Sequence, residues 1–149
     1  MKIVPIIKQI EIAAPADKVW RALFNNELNR QWLSIFSAGT YAETDWSTGS
    51  NVLFVDGAND GIIGHIVTNN PHTEMVIKYD GFIYKGVQDV SSEQAQAYKG
   101  SHEVYKLTDK GGSTVLDISA AMGEDYLELM LVAWDEALAK IKSLAEGLN

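Results

Sequence analysis

The residue with the clearest capacity for acid–base chemistry is His65, which lies in a run of β-forming residues from Ile62 to Thr68. If His65 shares its face with Ile63 and Val67, and that face lines a cavity, its imidazole is suited to proton transfer near neutral pH. If Ile62, Gly64 and Ile66 face inward instead, His65 is solvated. Both arrangements are open at the level of the sequence.

The remaining polar motifs do not assemble into a recognisable catalytic or metal site. His102 is followed by Glu103, but Lys106 occupies the position where the zinc-binding helix motif needs its second histidine. The loop from Asp56 to Gly61 resembles a calcium loop, yet Ala58 stands at the third ligand position, so a hairpin turn is the better interpretation. The chain contains no cysteine, no nucleophile-elbow motif and no phosphate-binding glycine loop. We predict no catalytic residue, no metal and no cofactor.

Two further charged features also have structural interpretations. Glu43 and Asp45 alternate along a strand and share one face, which is typical of an exposed sheet surface, so we assign them no role. Lys8 interrupts the apolar face of the first strand. It either reaches the rim of the sheet with its ammonium group in water or lies in a cavity beside a carboxylate such as Asp117, and we favour the rim.

The composition restricts the class of partner. The chain has 149 residues, of which 46% are hydrophobic and 21% charged, as expected of a compact globular domain. Its net charge of -8 disfavours nucleic acids and anionic lipid surfaces as partners. The longest apolar run, Leu129 to Trp134, is far shorter than the roughly 20 residues needed to span a bilayer. We expect a cytoplasmic protein.

The elements that must position these residues follow from hydrophobic periodicity. Alternation predicts a first strand over Val4–Ile12, and spacings of three and four predict short helices over Ala16–Phe24 and about Glu27–Trp32. Six further strands, separated by Gly, Asn, Asp and Pro, are predicted near 40–45, 51–55, 62–68, 75–84, 102–107 and 114–119. The segment Lys85–Gly100 is too long for a tight hairpin, so we expect a turn of helix or a flap there.

The carboxy-terminal segment gives the strongest local signal. An apolar stripe runs along Asp125–Glu146, with acidic residues before it and Gly147 after it, and predicts a long amphipathic helix. Such a helix is long enough to cross a whole sheet. We detect no internal repeat and no interdomain linker, and we expect residues 1–149 to form one domain.

Several short motifs occur in an order that is similar to a known family. They are Ala14-Pro15-Ala16-Asp17-Lys18-Val19-Trp20 with Trp32, then Glu43-Thr44-Asp45-Trp46 with Gly49-Ser50, then Gly61, Gly64 and Pro71, then Gly112-Ser113-Thr114-Val115-Leu116, and finally Trp134-Asp135. In this order they resemble the START-like, or SRPBCC, superfamily, in the branch related to activators of the heat-shock-protein-90 ATPase. The resemblance implies an α+β helix-grip fold, in which a curved antiparallel sheet of about seven strands holds two short helices and the long terminal helix.

The same resemblance implies an apolar cavity between the sheet and the terminal helix. Large side chains on the expected inner faces are the candidates for its lining, together with His65: Trp32, Phe36, Phe54, Tyr79, Tyr105, Tyr126 and Met130. Each of them is equally compatible with an ordinary core position. A buried phenol needs a hydrogen-bond partner, which favours a ligand-facing role for the tyrosines.

Three functions are compatible with this cavity. The first is non-catalytic binding of a hydrophobic or amphipathic small molecule. The second is a protein-interaction module with a chaperone as partner; the eukaryotic activators carry an additional amino-terminal domain that this sequence does not contain, so we do not expect ATPase stimulation. The third is an enzyme of the polyketide cyclase or aromatase kind. The sequence does not distinguish a monomer from a homodimer.

Overall fold

A curved antiparallel sheet of eight strands forms the body of the protein, in a computed structural model that describes residues 2–149. The strands are β1 (Ile3–Ile12), β2 (Tyr41–Glu43), β3 (Asn51–Val55), β4 (Gly61–Asn70), β5 (Glu74–Tyr84), β6 (Val87–Asp89), β7 (His102–Asp109) and β8 (Thr114–Gly123). Their order is β1-β8-β7-β5-β4-β3-β2, with β6 paired to β5. The α+β helix-grip prediction is confirmed. The short strand β6 is additional to the seven that the sequence pattern indicates.

Four helices accompany the sheet: α1 (Ala16–Phe24), α2 (Asn26–Leu33), α3 (Glu93–Tyr98) and α4 (Leu127–Glu146). Asn25 begins α2, because its side-chain oxygen accepts hydrogen bonds from the backbone N–H groups of Glu27 and Leu28. Ser92 begins α3 in the same way, by accepting from Ala95 N–H. The segment 85–100 therefore contains a turn of helix, which is one of the two alternatives expected for it. None of the helices between residues 2 and 149 is long and apolar enough to cross a membrane.

The long helix α4 covers the concave face of the sheet and packs against β1, α1 and α2. It begins two residues later than the periodicity predicts, because Glu124–Tyr126 form a 3₁₀ turn. All of its buried residues lie in its second part, from Trp134 onward. The first two turns, by contrast, are only partly covered, and this is where the interior is not filled by side chains.

A β-bulge in β5 sets which side chains face the concave side. Gly64 pairs with Tyr79 and Ile63 pairs with Gly81, so Asp80 is an extra residue without a partner in β4. The extra residue changes the alternation along β5, and both Tyr79 and Phe82 face the concave side as a result. A Cβ atom at residue 64 would lie 2.7 Å from the carbonyl oxygen of Lys78. Glycine is therefore required where the two strands approach at the bulge.

Candidate ligand-binding cavity

The concave face of the sheet and the first half of α4 enclose a cavity of about 270 Å³. A buried water molecule needs only about 10–15 Å³ by this type of measure, so the space is far larger than a hydration site. It lies close to the lower end of the volume range of small-molecule pockets, about 300–1,000 Å³. We call this space the inner chamber.

A second space of about 670 Å³ adjoins the inner chamber on the solvent side. Its wall includes Tyr84 and Tyr126, whose exposed fractions are 63% and 58%, so this outer chamber is the mouth of the cavity. The two chambers share six lining residues: Asp60, Gly61, Ile62, Tyr98, Met122 and Met130. A molecule that is too long for the inner chamber can therefore extend into the outer one.

Aromatic side chains from three elements and one connecting segment form the wall of the inner chamber. Trp32 lies on α2, Phe36 follows that helix, Phe54 lies on β3 and Trp134 lies on α4. Trp32 is held by a hydrogen bond of 3.1 Å from its indole N–H to the carbonyl oxygen of Ala22. The Phe36 and Trp134 rings meet edge to face with their centroids 4.8 Å apart. These contacts hold Trp32, Phe36 and Trp134 in place, so this part of the aromatic wall is preformed.

One partly buried acidic side chain, Glu103 on β7, lies among these apolar groups in the inner chamber. The phenol of Tyr79 on β5 donates a hydrogen bond of 3.0 Å to Glu103 Oε1. Desolvation in the chamber raises the pKa of Glu103 to about 7, although the phenols of Tyr79 and Tyr105 act in the opposite direction by stabilising the carboxylate. Close to neutral pH, Glu103 is therefore present in both protonation states.

The position of Glu103 also affects the neighbouring phenols. Desolvation and the nearby charge of Glu103 raise the pKa of Tyr98 to about 12 and those of Tyr79 and Tyr105 well above the usual value. The three phenols therefore stay protonated and act as hydrogen-bond donors. Tyr98 donates to the carbonyl oxygen of Ala121 over 2.8 Å, which holds α3 against β8 at the junction of the chambers.

The polar groups that line the two chambers are negative or neutral. Within residues 2–149, the lining includes the carboxyl groups of Asp56, Asp60, Asp89 and Glu103 but no lysine, arginine or histidine. Three of these acids have a local structural task. Asp56 accepts from the backbone N–H groups of Ala58 and Asp60, Asp60 accepts from that of Lys85, and Asp89 accepts from those of Ser91 and Ser92.

Most of the side chains that the sequence nominates lie at the cavity. Trp32, Phe36, Phe54 and Tyr79 line the inner chamber, Met130 lines both chambers, and Tyr126 lines the outer one. Tyr105 is not part of the lining. It is buried beneath the chamber, where its ring packs against Phe24, Trp32 and Trp134.

His65 lies on the opposite face of the sheet. Ile62 lines the chambers and Ile66 is buried in the core. The face with Ile62 and Ile66 therefore points inward, and the face with His65 does not. A hydrogen bond of 2.8 Å joins His65 Nδ1 to Asp80 Oδ2, and 36% of the His65 side chain is exposed. The bulge at Asp80 places this carboxylate beside His65, and neither residue lines the chambers.

Glu103, Tyr98 and Trp134 are among the cavity residues that were not nominated from the sequence. A signal for Glu103 was present, because Glu103, Tyr105 and Leu107 alternate along one strand and therefore share a face. An acid at the end of an apolar face is more often a solvent-exposed rim residue, which is why the pattern did not single it out.

The other charged candidates have structural surroundings. Lys8 forms an ion pair of 2.8 Å with Asp135 on α4, whereas Asp117 accepts a hydrogen bond from Gln9. The calcium-like loop at Asp56 is a hairpin between β3 and β4. No group of three or more His, Cys, Asp or Glu side chains suited to hold a metal ion is found within residues 2–149.

The family model described as "Activator of Hsp90 ATPase homolog 1-like protein" matches residues 13–146. The chain belongs to this family. The match covers all four helices and nearly the whole sheet, so the resemblance to the START-like, or SRPBCC, superfamily that the motifs indicate is confirmed. No curated protein sequence matches the chain significantly.

Several solved structures share this fold. CalU16 from Micromonospora echinospora superposes with a TM-score of 0.65 at 22% identity, over 96% of this chain and 76% of CalU16. The Aha1 dimer from Colwellia psychrerythraea gives a TM-score of 0.71 at 15% identity and 97% coverage of both chains. DynU16, described as a putative protein in the dynemicin biosynthetic locus, gives 0.69 at 15% identity, over 96% of this chain and 47% of DynU16.

Proposed function

We propose that this protein binds a hydrophobic or amphipathic small molecule in the two chambers between its sheet and α4. The observation that carries the proposal is the unfilled inner chamber of about 270 Å³ with its fixed aromatic wall. Protein interiors are normally packed to crystal-like density, so an unfilled apolar space of this size loses stabilising contacts. A ligand with an apolar surface restores those contacts and gains about 25 cal/mol for each Å² of surface removed from water.

The binding itself needs no reaction. A few polar groups at defined places orient the ligand, among them Glu103 and Tyr79 in the inner chamber and Asp60 at the junction of the chambers. Pockets that combine a largely apolar wall with a small number of polar contacts are typical of small-molecule sites. DynU16, which shares the fold, belongs to a biosynthetic locus, and this is in keeping with a small-molecule ligand.

Titration with the neutral fluorescent probe N-phenyl-1-naphthylamine tests this proposal. We expect saturable binding with an increase in fluorescence. The variant Ala120→Leu, which places a larger side chain in the inner chamber, is expected to weaken the binding at least about tenfold. Ala139→Leu, on the exposed side of α4, is the matched control and is expected to leave it unchanged. Near-ultraviolet circular dichroism checks that both variants are folded.

Met130→Trp provides a second way to block the cavity, at the junction of the chambers and outside the sheet. If both folded blocking variants bind the probe as well as the unmodified protein does, the chambers are not the binding site. The same conclusion follows if the unmodified protein does not bind the probe at all.

A second candidate function is proton-transfer catalysis of the polyketide cyclase or aromatase kind. The observation in its favour is the hydrogen bond of 3.0 Å between the phenol of Tyr79 and the carboxyl group of Glu103 in a largely apolar chamber, where desolvation raises the pKa of Glu103 to about 7. Turnover of a poly-β-keto thioester that Glu103→Gln abolishes would support it. Turnover that is equal in both proteins would remove Glu103 from that role.

Interaction with a protein partner, as the name of the family implies, has a separate surface available. Leu129 and Val132 on the outer side of α4 are exposed by 68% and 58%. Exposed apolar side chains of this kind are common at interaction sites. Addition of the protein to the Hsp90-type chaperone of its own host, with ATP hydrolysis as the measured quantity, tests this candidate. An unchanged rate of hydrolysis would exclude ATPase activation.

A further inference from the structure

The charge of the cavity lining restricts the chemistry of its ligand. Four carboxyl groups and no basic side chain line the two chambers in the part of the chain that the structure describes. The whole sequence carries a net charge of -8, which adds a field that attracts cations. A carboxylate, sulfonate or phosphate ligand would enter this cavity against charge repulsion and would find no cationic partner inside it.

Glu103 differs from the other three acids of the lining. Asp56, Asp60 and Asp89 accept hydrogen bonds from backbone N–H groups and thereby stabilise the neighbouring turns. Glu103 accepts no backbone hydrogen bond and forms no ion pair within residues 2–149. Ionisation of a partly buried carboxyl group is costly, and a positive charge beside Glu103 would offset that cost.

The surroundings of Glu103 have the composition of a site for an organic cation. Trp32, Phe36, Phe54 and Trp134 line the same chamber as the carboxyl group. The faces of aromatic rings attract ammonium groups, most strongly where water is excluded. An ammonium group beside Glu103 therefore gains a charge-assisted hydrogen bond, while its apolar substituents remain in contact with the rings.

We propose that the ligand of this cavity is an amphipathic amine, whose protonated nitrogen binds beside Glu103 and whose apolar part occupies the aromatic wall. This inference rests on the proposed function and names the class of ligand. Amines have the required positive charge near neutral pH, and the outer chamber has room for a longer apolar substituent.

The proposal predicts a particular dependence on pH. The titratable groups that face Glu103 are the phenols of Tyr79 on β5, Tyr105 on β7 and Tyr98 on α3, and all three stay protonated. Asp56 and Asp60 also line the inner chamber, where they accept hydrogen bonds from backbone N–H groups, whereas Trp32 on α2 and Trp134 on α4 do not titrate. The binding of an ammonium group requires the charged carboxylate, so the affinity falls about tenfold between pH 8 and pH 6, as Glu103 takes up its proton.

The experiment uses three probes that share one apolar body: 2-(2-naphthyl)ethylamine, 2-(2-naphthyl)ethanol and 3-(2-naphthyl)propanoate. Their affinities are measured by isothermal titration calorimetry on the full chain at pH 6, 7 and 8. At pH 8 we expect the amine to bind about tenfold more tightly than the alcohol, and the carboxylate to bind most weakly. The affinity of the alcohol is expected to change little with pH.

Glu103→Gln separates the amine preference from binding as such. Glutamine keeps the size and an oxygen acceptor for Tyr79 but cannot be charged, so the variant is expected to bind amine and alcohol with similar affinity and to lose the pH dependence. Glu43→Gln, on the exposed surface of β2, is the matched control and is expected to keep the preference.

The possible results distinguish this inference from the proposed function. If the alcohol binds as tightly as the amine to the unmodified protein, the amine assignment is wrong and cavity binding stands. If the amine preference persists in Glu103→Gln, Glu103 is not the partner of the nitrogen. If none of the three probes nor N-phenyl-1-naphthylamine binds, both the inference and the proposed function are overturned.

Discussion

The phenol of Tyr79 and the carboxyl group of Glu103 form a hydrogen bond of 3.0 Å across the concave face of the sheet, from one strand to its neighbour. The sequence nominates Tyr79 for the lining of the cavity but does not single out Glu103, and the bond joins the two in the inner chamber. The sheet determines the orientation of both residues. Alternation along β7 places Glu103 on the concave face, and Tyr79 lies on the same face just before the bulge in β5.

The desolvation of Glu103 predicts a pH-dependent stability. The pKa of Glu103 in the folded protein, about 7, lies above its ordinary value of 4.5, so the folded state binds more protons than the unfolded state between these values. This group therefore lowers the free energy of unfolding as the pH rises from 4.5 to 7, by up to about 3 kcal/mol. The free energy of unfolding of Glu103→Gln, relative to that of the unmodified protein, is expected to be higher at pH 8 than at pH 5 by up to that amount.

Urea denaturation of both proteins at the two pH values measures this difference. Glu43→Gln serves as the control, since its side chain is exposed and the difference should not depend on pH. A stability difference between Glu103→Gln and the unmodified protein that is equal at pH 5 and pH 8 would contradict the assigned pKa.

Removal of the Tyr79 hydroxyl should raise the pKa of Glu103 further. The hydrogen bond from Tyr79 stabilises the carboxylate, so Tyr79→Phe leaves the carboxyl group in the chamber with less support for its charge. Carbon-13 NMR of the Glu103 carboxyl carbon gives the pKa directly. Tyr84→Phe, in which an exposed phenol is removed, is the matched control. A lower pKa of Glu103 in Tyr79→Phe would show that the phenol does not act as a donor to it.

The side chain of His65 is expected to be irrelevant to ligand binding. It lies on the face of the sheet away from the chambers, where it pairs with Asp80. His65→Gln should therefore bind N-phenyl-1-naphthylamine within about twofold of the unmodified protein, whereas Phe54→Ala should weaken binding because it removes part of the aromatic wall. Fluorescence titration compares the two. Equal weakening by both substitutions would place the binding site elsewhere.

Asn25 is expected to stabilise the helix that carries Trp32 into the chamber. Its side chain accepts hydrogen bonds of 3.1 Å and 3.3 Å from the first turn of α2. Asn25→Ala removes both and should lower the free energy of unfolding by about 1 kcal/mol, while Asn25→Asp keeps an acceptor and should have a much smaller effect. Chemical denaturation measures both values. If alanine and aspartate are equally destabilising, the cap is not the cause.

Local sequence patterns were sufficient for most of the elements, although not for the short strand β6, and for most of the fold. Helix α1 and strand β3 have the bounds that periodicity and turn residues predict, and Ser92 marks the start of α3. These features depend on interactions between residues close in the chain, such as helix capping and the alternation of side chains. The motif order then gave the family, because the order of elements in a chain is itself visible in the sequence.

The tertiary structure decided which side chains share the cavity. The extra residue Asp80 reverses the alternation along β5, and no property of a single strand reveals the register in which it pairs with β4. The face of His65 and the surroundings of Glu103 both depend on such pairings. The cavity lies beside the first part of α4, whose residues are fully buried only from Trp134 onward, and this depends on how distant elements pack. Sequence alone thus determined the fold, whereas the pairing of strands and the position of α4 determined where an acid meets the aromatic wall.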